Sequence, residues 1–288
     1  MGLPDIFERP EVRTSIQLAL REDLGESGVD VTSESTIAPE AYAEAHMVAR
    51  EACVLAGTAV AKEVFKQLNG LLDVTICVAD GTAVEAGTTV LIIRGSAKSI
   101  LTAERTALNF IQRMCGVATI TAAYVKAADN PNVDILCTRK TTPLLRPFEK
   151  YSVRCGGGVN HRYGLFDAVL IKDNHLASWG REHGTGVGEA VAIARAKYPD
   201  LKIEVEVDTM EQLKEALETG PDWVLLDNMS PDLLRECVAL CKGICRTEAS
   251  GGINLNTIRA VAQTGVDAIS VGALTHSAPS IDLALDFV

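Results

Sequence analysis

Between positions 139 and 172 stand seven Lys or Arg residues (139, 140, 146, 150, 154, 162 and 172) against Glu149 and Asp167, a local +5 inside a chain of net charge −11. A basic island in an acidic protein suits a small polyanion, since an extended one would meet repulsion outside the patch. Arg139, Lys140, Arg162 and Lys172 fall at strand ends or behind the triple glycine 156–158, where His161 joins them, and are candidate anion ligands. Lys150 and Arg154 are expected on a solvated helix face. In Lys202-Ile203-Glu204-Val205-Glu206-Val207-Asp208 side chains alternate between faces, which puts Lys202, Glu204, Glu206 and Asp208 on one side and three apolar residues on the other. Helices covering the apolar side turn the carboxylates inward, where unpaired charge is expensive, so cations must meet them. The turns Ser250-Gly251-Gly252 and Val271-Gly272-Ala273 each follow a strand and offer backbone amides of the kind that cradle a phosphomonoester, although each alone also reads as a plain turn. Glu206 and Asp227 nearby suit sugar hydroxyls or hydrated Mg²⁺, which prefers carboxylate and phosphate oxygen. The composite ligand is a phosphorylated sugar carrying further anionic groups.

These residues need a scaffold that gathers strand ends around one mouth. After Pro131, short Val/Ile/Leu-rich strands (133–137, 168–171, 203–207, 223–226, 244–247 and 268–271) alternate with helical patterns at 189–197, 210–218, 231–240 and 256–263. Parallel strands joined by helices make a β/α barrel or an open doubly wound sheet. No Gly-x-Gly-x-x-Gly follows the first strand, which disfavours the dinucleotide-binding sheet and favours an α/β fold with a β/α barrel of eight strands or fewer. Every one of these strands ends in charge, hydroxyl or glycine, and carboxyl ends are where barrel enzymes build their sites. The first hundred residues instead combine a helix near 12–24, closed by Gly25, with alternating runs at 42–49, 74–78 and 90–93, the pattern of an α+β domain. A helical pattern over 100–128, interrupted at Gly116, marks the division into an amino-terminal domain, 1–116, and a barrel, 117–273.

Composition excludes other classes. With 288 residues, 47% hydrophobic and 23% charged, the chain has ordinary globular usage. No apolar run approaches the roughly 18 residues of a transmembrane helix, and Met1-Gly2-Leu3-Pro4-Asp5 carries early acid where a signal peptide is basic. Ile6 spoils a myristoylation match, so a cytoplasmic location is expected. The net charge of −11 repels nucleic acid and anionic membranes, and neither is expected as a partner. Eight cysteines are too sparse for a disulfide scaffold. Cys237, Cys241 and Cys245 would share a helix face and are expected as small apolar side chains in place of a metal site. His46, His183 and His276 are expected to be structural or exposed, and Trp179 and Trp223 to pack.

Further motifs sharpen the picture. Thr102-Ala103-Glu104-Arg105-Thr106-Ala107-Leu108-Asn109, Thr138-Arg139-Lys140-Thr141-Thr142-Pro143, Glu149-Lys150-Tyr151, Gly156-Gly157 with His161-Arg162, Ile171-Lys172-Asp173-Asn174-His175, Glu204-Val205-Glu206-Val207 and Glu248-Ala249-Ser250-Gly251-Gly252 together resemble the quinolinate phosphoribosyltransferase family. The resemblance runs from about Asp23 to the carboxyl terminus. It implies transfer of ribose 5-phosphate from phosphoribosyl pyrophosphate to the ring nitrogen of quinolinate, with Mg²⁺, releasing pyrophosphate and CO₂ to give nicotinate mononucleotide for NAD synthesis. It also implies an amino-terminal α/β sandwich to which 274–288 return, an incomplete β/α barrel, and a homodimer in which Arg105 reaches the neighbour's barrel, with higher homo-oligomers left open. By motif position Arg105, Arg139, His161, Arg162 and Lys172 resemble the quinolinate-binding cluster. Lys140, Glu206 and Asp227 resemble the groups that meet ribose and pyrophosphate, and Ser250, Gly251, Gly252 and Gly272 the 5-phosphate cradle. Leu144 departs from the glycine that many relatives have after Thr-Thr-Pro.

The chemistry is consistent with this. Planar guanidinium groups bind carboxylates in bidentate fashion, which suits a dicarboxylate substrate. As pyrophosphate leaves, C1′ becomes cationic; Glu206 and Asp227 would stabilise it while Mg²⁺ and Lys140 neutralise the leaving group. Two other readings remain. Lys172 at a strand end could be the Schiff-base nucleophile of a sugar-phosphate lyase, or the barrel could be a non-catalytic anion-binding module.

Overall fold

The computed structural model describes residues 3–183 and 186–288, the side chains of 179–183 aside, so those of His183 and Trp179 lie outside the described ones. Contacts divide the chain into two units: Met1–Ala122 with Thr141–Gly157 and Leu274–Val288, and Ala123–Lys140 with Gly158–Ala273. The division expected at 116 placed 141–157 with the barrel. That segment belongs to the first unit because its helix Arg146–Cys155 buries Phe148 in the amino-terminal core, 5.0 Å from the Phe110 ring. Burial extends to Glu149 and to Lys150, which is 3% exposed, so the solvated face expected for Lys150 is corrected. Charge survives there through pairing: Arg113 reaches Glu149 at 2.9 Å, and Glu149 also accepts from the Thr142 hydroxyl at 2.8 Å.

In the first unit the strands β1 (Tyr42–Ala49), β2 (Cys53–Val54), β3 (Asp73–Ile76), β4 (Ala83–Val84) and β5 (Thr89–Ser96) come first. The last strand of the chain, Leu283–Phe287, joins β1, β5 and β3 in an antiparallel sheet in that order. Alternation buries Ala45, Met47, Leu91 and Ile93 against helices Pro10–Leu24, Thr58–Leu68 and Ala97–Ala128, a sandwich of sheet and helices. The opposite face is polar, with His46 2.7 Å from Glu44. Helix Pro10–Leu24 stops as expected at Gly25, whose φ is +64°. Helix Ala97–Ala128 runs through Gly116 without interruption. That glycine serves close approach: a Cβ there would stand 1.8 Å from the Pro279 carbonyl oxygen. Leu144, 83% exposed, has φ +67°, a conformation that favours glycine, so this leucine carries about 1–2 kcal/mol of backbone strain.

The second unit holds six parallel strands, β6 (Asp134–Leu136), β7 (Val169–Ile171), β8 (Ile203–Val207), β9 (Trp223–Asp227), β10 (Arg246–Ser250) and β11 (Ala268–Ser270), in the order β6-β11-β10-β9-β8-β7. First pairs with last and only the β6–β7 ladder is missing, which is a barrel with one open seam. Val159 sits on the free edge of β6, donating to Ile135 O at 2.8 Å. β10 starts two residues later than expected because Ile244 and Cys245 both donate to Cys241 O and close the preceding helix, Pro231–Cys241. Cys237 and Cys241 are buried on that helix, whereas Cys245 lies beyond its end, half-buried. No helix among the described residues is long and apolar enough to cross a membrane.

Replacing Gly116 by Ala tests the close approach. Intrinsic helix propensity alone would stabilise the variant by about 1 kcal/mol. Overpacking against Pro279 is expected to win, lowering unfolding stability by about 1–3 kcal/mol in a urea titration.

Candidate active site

The register of the barrel decides which side chains meet. Glu204 of β8 lies opposite Trp223 of β9 and Glu248 of β10 opposite Leu225, so the two carboxylates come from alternate strands and converge inside, as layers in barrels do. Both are 1% exposed. Two residues beyond Val159, His161 enters between them, its Nε2 3.1 Å from Glu204 Oε2 and 3.4 Å from Glu248 Oε2. Its Nδ1 accepts the backbone N–H of Arg162 at 2.7 Å. Burial opposes charge on this imidazole, but the hydrogen bonds and charges of both glutamates outweigh it and push His161 up to about 9. The three groups titrate as a set. Because Nδ1 is an acceptor, the retained proton lies on the carboxylate side, where burial and then the Glu204 charge raise the proton affinity of Glu248. The three ligand-type atoms lie within 4.8 Å of one another, a spacing that a metal ion would also fit, but Lys202 already supplies positive charge to both glutamates.

One strand-step toward the carboxyl end, Glu206 accepts from Lys172 Nζ at 2.7 Å, with side chains 10% and 45% exposed respectively. A cavity of about 800 Å³ runs along β7, lined by Arg139, Arg162 and Lys172 together with apolar residues that include Phe166, Ile193 and Tyr198. Arg162 Nη1 donates to Ala168 O, just before β7, at 3.0 Å. Burial, and then the like charge of Arg139, press the Arg162 guanidinium below its ordinary value, which marks the two cations as neighbours. The Nε groups of Arg139 and Arg162 are buried and have no hydrogen-bond partner among the described residues. A buried donor left unsatisfied costs about 1–3 kcal/mol, more when charged, so the cavity is complete only when an anion supplies the acceptors.

Asp227, at the end of β9, has its proton affinity raised by burial and then by the charges of Glu206 and Asp208. Hard oxygen donors with surplus negative charge fit hydrated Mg²⁺. Next to them, Gly251 has φ +93° and a Cβ there would stand 2.2 Å from Asn228 Oδ1, while Gly252, φ +61°, faces open space. Only glycine allows this turn, and its open side leaves room for a phosphate against backbone amides. Gly272 follows β11, and the exposed Lys140 follows β6, its N–H donating to Thr138 Oγ1 at 3.0 Å.

Arg105 is exposed on helix Ala97–Ala128 of the first unit and makes no hydrogen bond or ion pair among the described residues. Gly156 has a packing role, since a Cβ there would stand 2.3 Å from Ala118 O. His276 is exposed beside Ser277, and Trp223 is stacked by Lys202 at 3.7 Å and Arg246 at 4.2 Å, so it packs. Sequence reasoning turned Glu204 inward but gave neither it nor Glu248 a place in the site. The signal available was the strand position of Glu248, directly before Ala249-Ser250.

The family model described as quinolinate phosphoribosyl transferase, N-terminal domain, matches residues 30–115, and that of the C-terminal domain matches 117–286. The probable nicotinate-nucleotide pyrophosphorylase (carboxylating) of Bacillus subtilis is 43% identical over 266 residues, covering 92% of this chain and 89% of that protein. The corresponding Mycobacterium leprae protein is 42% identical over 281 residues, covering 95% and 96%. The solved structure of the nicotinate-nucleotide pyrophosphorylase from Francisella tularensis matches with a TM-score of 0.90 at 39% identity, covering 97% of this chain and 96% of that one.

A proton affinity raised on folding stabilises the fold below the unfolded value and ceases to do so as pH climbs through the folded one. Stability is therefore expected to fall between pH 6.5 and about 9 through His161 and its glutamates. Urea unfolding at stepped pH checks this: the decline should flatten in His161→Asn.

Proposed function

Because the chain belongs to the quinolinate phosphoribosyltransferase family, we propose that it transfers the 5-phosphoribosyl group of phosphoribosyl pyrophosphate to quinolinate with decarboxylation, giving nicotinate mononucleotide, pyrophosphate and CO₂ for NAD biosynthesis. The observation that carries the reading is the pair of orphaned guanidinium Nε groups, on Arg139 and Arg162, in a cavity that Lys172 also lines. A pyridine dicarboxylate supplies acceptors to both arginines in bidentate fashion and an aromatic ring to the apolar wall. Its ring nitrogen is thereby turned toward the pentose.

The 5-phosphate rests on the amides of Ser250, Gly251 and Gly252, with Gly272 behind β11. Glu206 and Asp227 face the sugar, where preorganised negative charge stabilises the cation that develops at C1′ as pyrophosphate departs. Lys140 meets the leaving group. Glu206 and Asp227 would hold Mg²⁺ through water or substrate, and the bound ion would supply further neutralisation of the pyrophosphate. Once ribosylated, the ring nitrogen is positive and stabilises the electron pair that departing CO₂ leaves on the adjacent ring carbon, which then takes a proton from water, so no covalent bond to the protein is required. The ion pair with Glu206 and the exposure of the Lys172 side chain, 45%, are the opposite of the desolvated amine that imine chemistry needs. Arg105, exposed and without a hydrogen bond among the described residues, suits a homodimer in which it completes a neighbour's substrate cluster; a cytoplasmic location is part of the same reading.

Release of labelled CO₂ from carboxyl-labelled quinolinate, dependent on phosphoribosyl pyrophosphate and Mg²⁺, is the expected activity, and its absence would sink the reading. Removing the Asp227 charge in Asp227→Asn should raise the barrier by about 3 kcal/mol, a loss of roughly a hundredfold in kcat. Steady-state kinetics read this directly.

A further inference from the structure

His161 belongs to the basic island, yet the protein itself uses both of its ring nitrogens. Nε2 is turned between Glu204 and Glu248 at 3.1 and 3.4 Å, and Nδ1 takes the N–H of Arg162 at 2.7 Å. The next atoms along that backbone carry the guanidinium whose Nη1 grips Ala168 O and whose Nε is orphaned in the cavity. We propose that Glu248, acting with Glu204, is a positioning residue for Arg162: Glu204 takes the Nε2–H of His161 and the Glu248 carboxylate beside it, at ion-pair distance, keeps that edge turned inward, which leaves Nδ1 the lone pair that fastens the Arg162 backbone.

Four features support the assignment. The carboxylates sit on strands β8 and β10, rigid elements joined through β9, whereas 158–168 is the irregular segment that crosses the open seam. A loop residue that must aim a planar guanidinium needs an anchor within the barrel, and none of the strand ladders reaches Arg162. The hydrogen bond at one ring nitrogen sets the tautomer and hence the role of the other. Finally, burying two glutamates at 1% exposure is costly, and a barrel interior filled by apolar side chains would avoid that cost, so their presence calls for a return.

The inference rests on quinolinate being the substrate, because it predicts which substrate loses its grip. Steady-state kinetics of the full chain against quinolinate and against phosphoribosyl pyrophosphate test it with Glu248→Gln, His161→Asn and His161→Gln. Glu248→Gln should raise the KM for quinolinate roughly tenfold or more while the KM for phosphoribosyl pyrophosphate stays within about twofold. His161→Asn, whose Oδ1 stands where Nδ1 was and can accept the Arg162 N–H, should keep a lower quinolinate KM than His161→Gln, which restores only the contact to the glutamates. An unchanged quinolinate KM in Glu248→Gln, or an equal rise in both constants, overturns the proposal. Should that variant fail to fold, the His161 pair decides alone: a His161→Gln value equal to or below that of His161→Asn overturns it. Wild-type protein run alongside separates the two claims, since no turnover of quinolinate defeats the proposed function and the inference with it, whereas normal turnover with indifferent variants defeats the inference only.

Discussion

Everything in the second unit is organised around negative charge placed where water cannot reach it. Glu204, Glu206 and Glu248 occupy inward positions on parallel strands, and a carboxylate buried alone would be driven to take up a proton or to unfold its surroundings. The chain answers from the segment that crosses the seam, which sends His161 to Glu204 and Glu248, and from the end of β7, which sends Lys172 to Glu206. Cations brought in to balance acids are also cations held rigidly. Those left over, Arg139 and Arg162, are the ones that face the cavity without a partner for Nε.

The missing ladder between β6 and β7 is part of the same arrangement. A closed barrel of this kind would fill its interior with side chains, whereas the unpaired edge of β7 opens a cavity of about 800 Å³ along the strand. Val159 covers one edge of the seam and Arg162 satisfies a carbonyl at the other, so the gap is lined without being closed. In the proposed function, substrate charge would complete what the backbone leaves open.

Much of this was legible in residue order because it follows from period and chemistry. Alternation over 202–208 placed the acids on one face, and their need for counter-charge pointed to the basic island. Strand β8 has the expected bounds, and the other five barrel strands stand where expected to within a few residues. What was not legible depends on distant partners. Gly116 reads as a break until Pro279 is found against it, and Lys150 reads as solvated until its helix is seen to be covered on most sides. The His161–Glu204–Glu248 set joins residues from a loop and two strands with a third strand between, and no local pattern announces that meeting. Leu144 is a further case: its left-handed backbone favours glycine, and nothing in the local sequence announces that conformation.

In the proposed function three cations, Arg139, Arg162 and Lys172, converge on one diacid. A crystal structure of the protein with quinolinate bound tests it most directly. A single quinolinate is expected in the β7 cavity with carboxylate oxygens on the guanidinium groups of Arg139 and Arg162, including their Nε atoms, and within reach of Lys172. A quinolinate bound elsewhere, or one touching neither orphaned Nε, would contradict it.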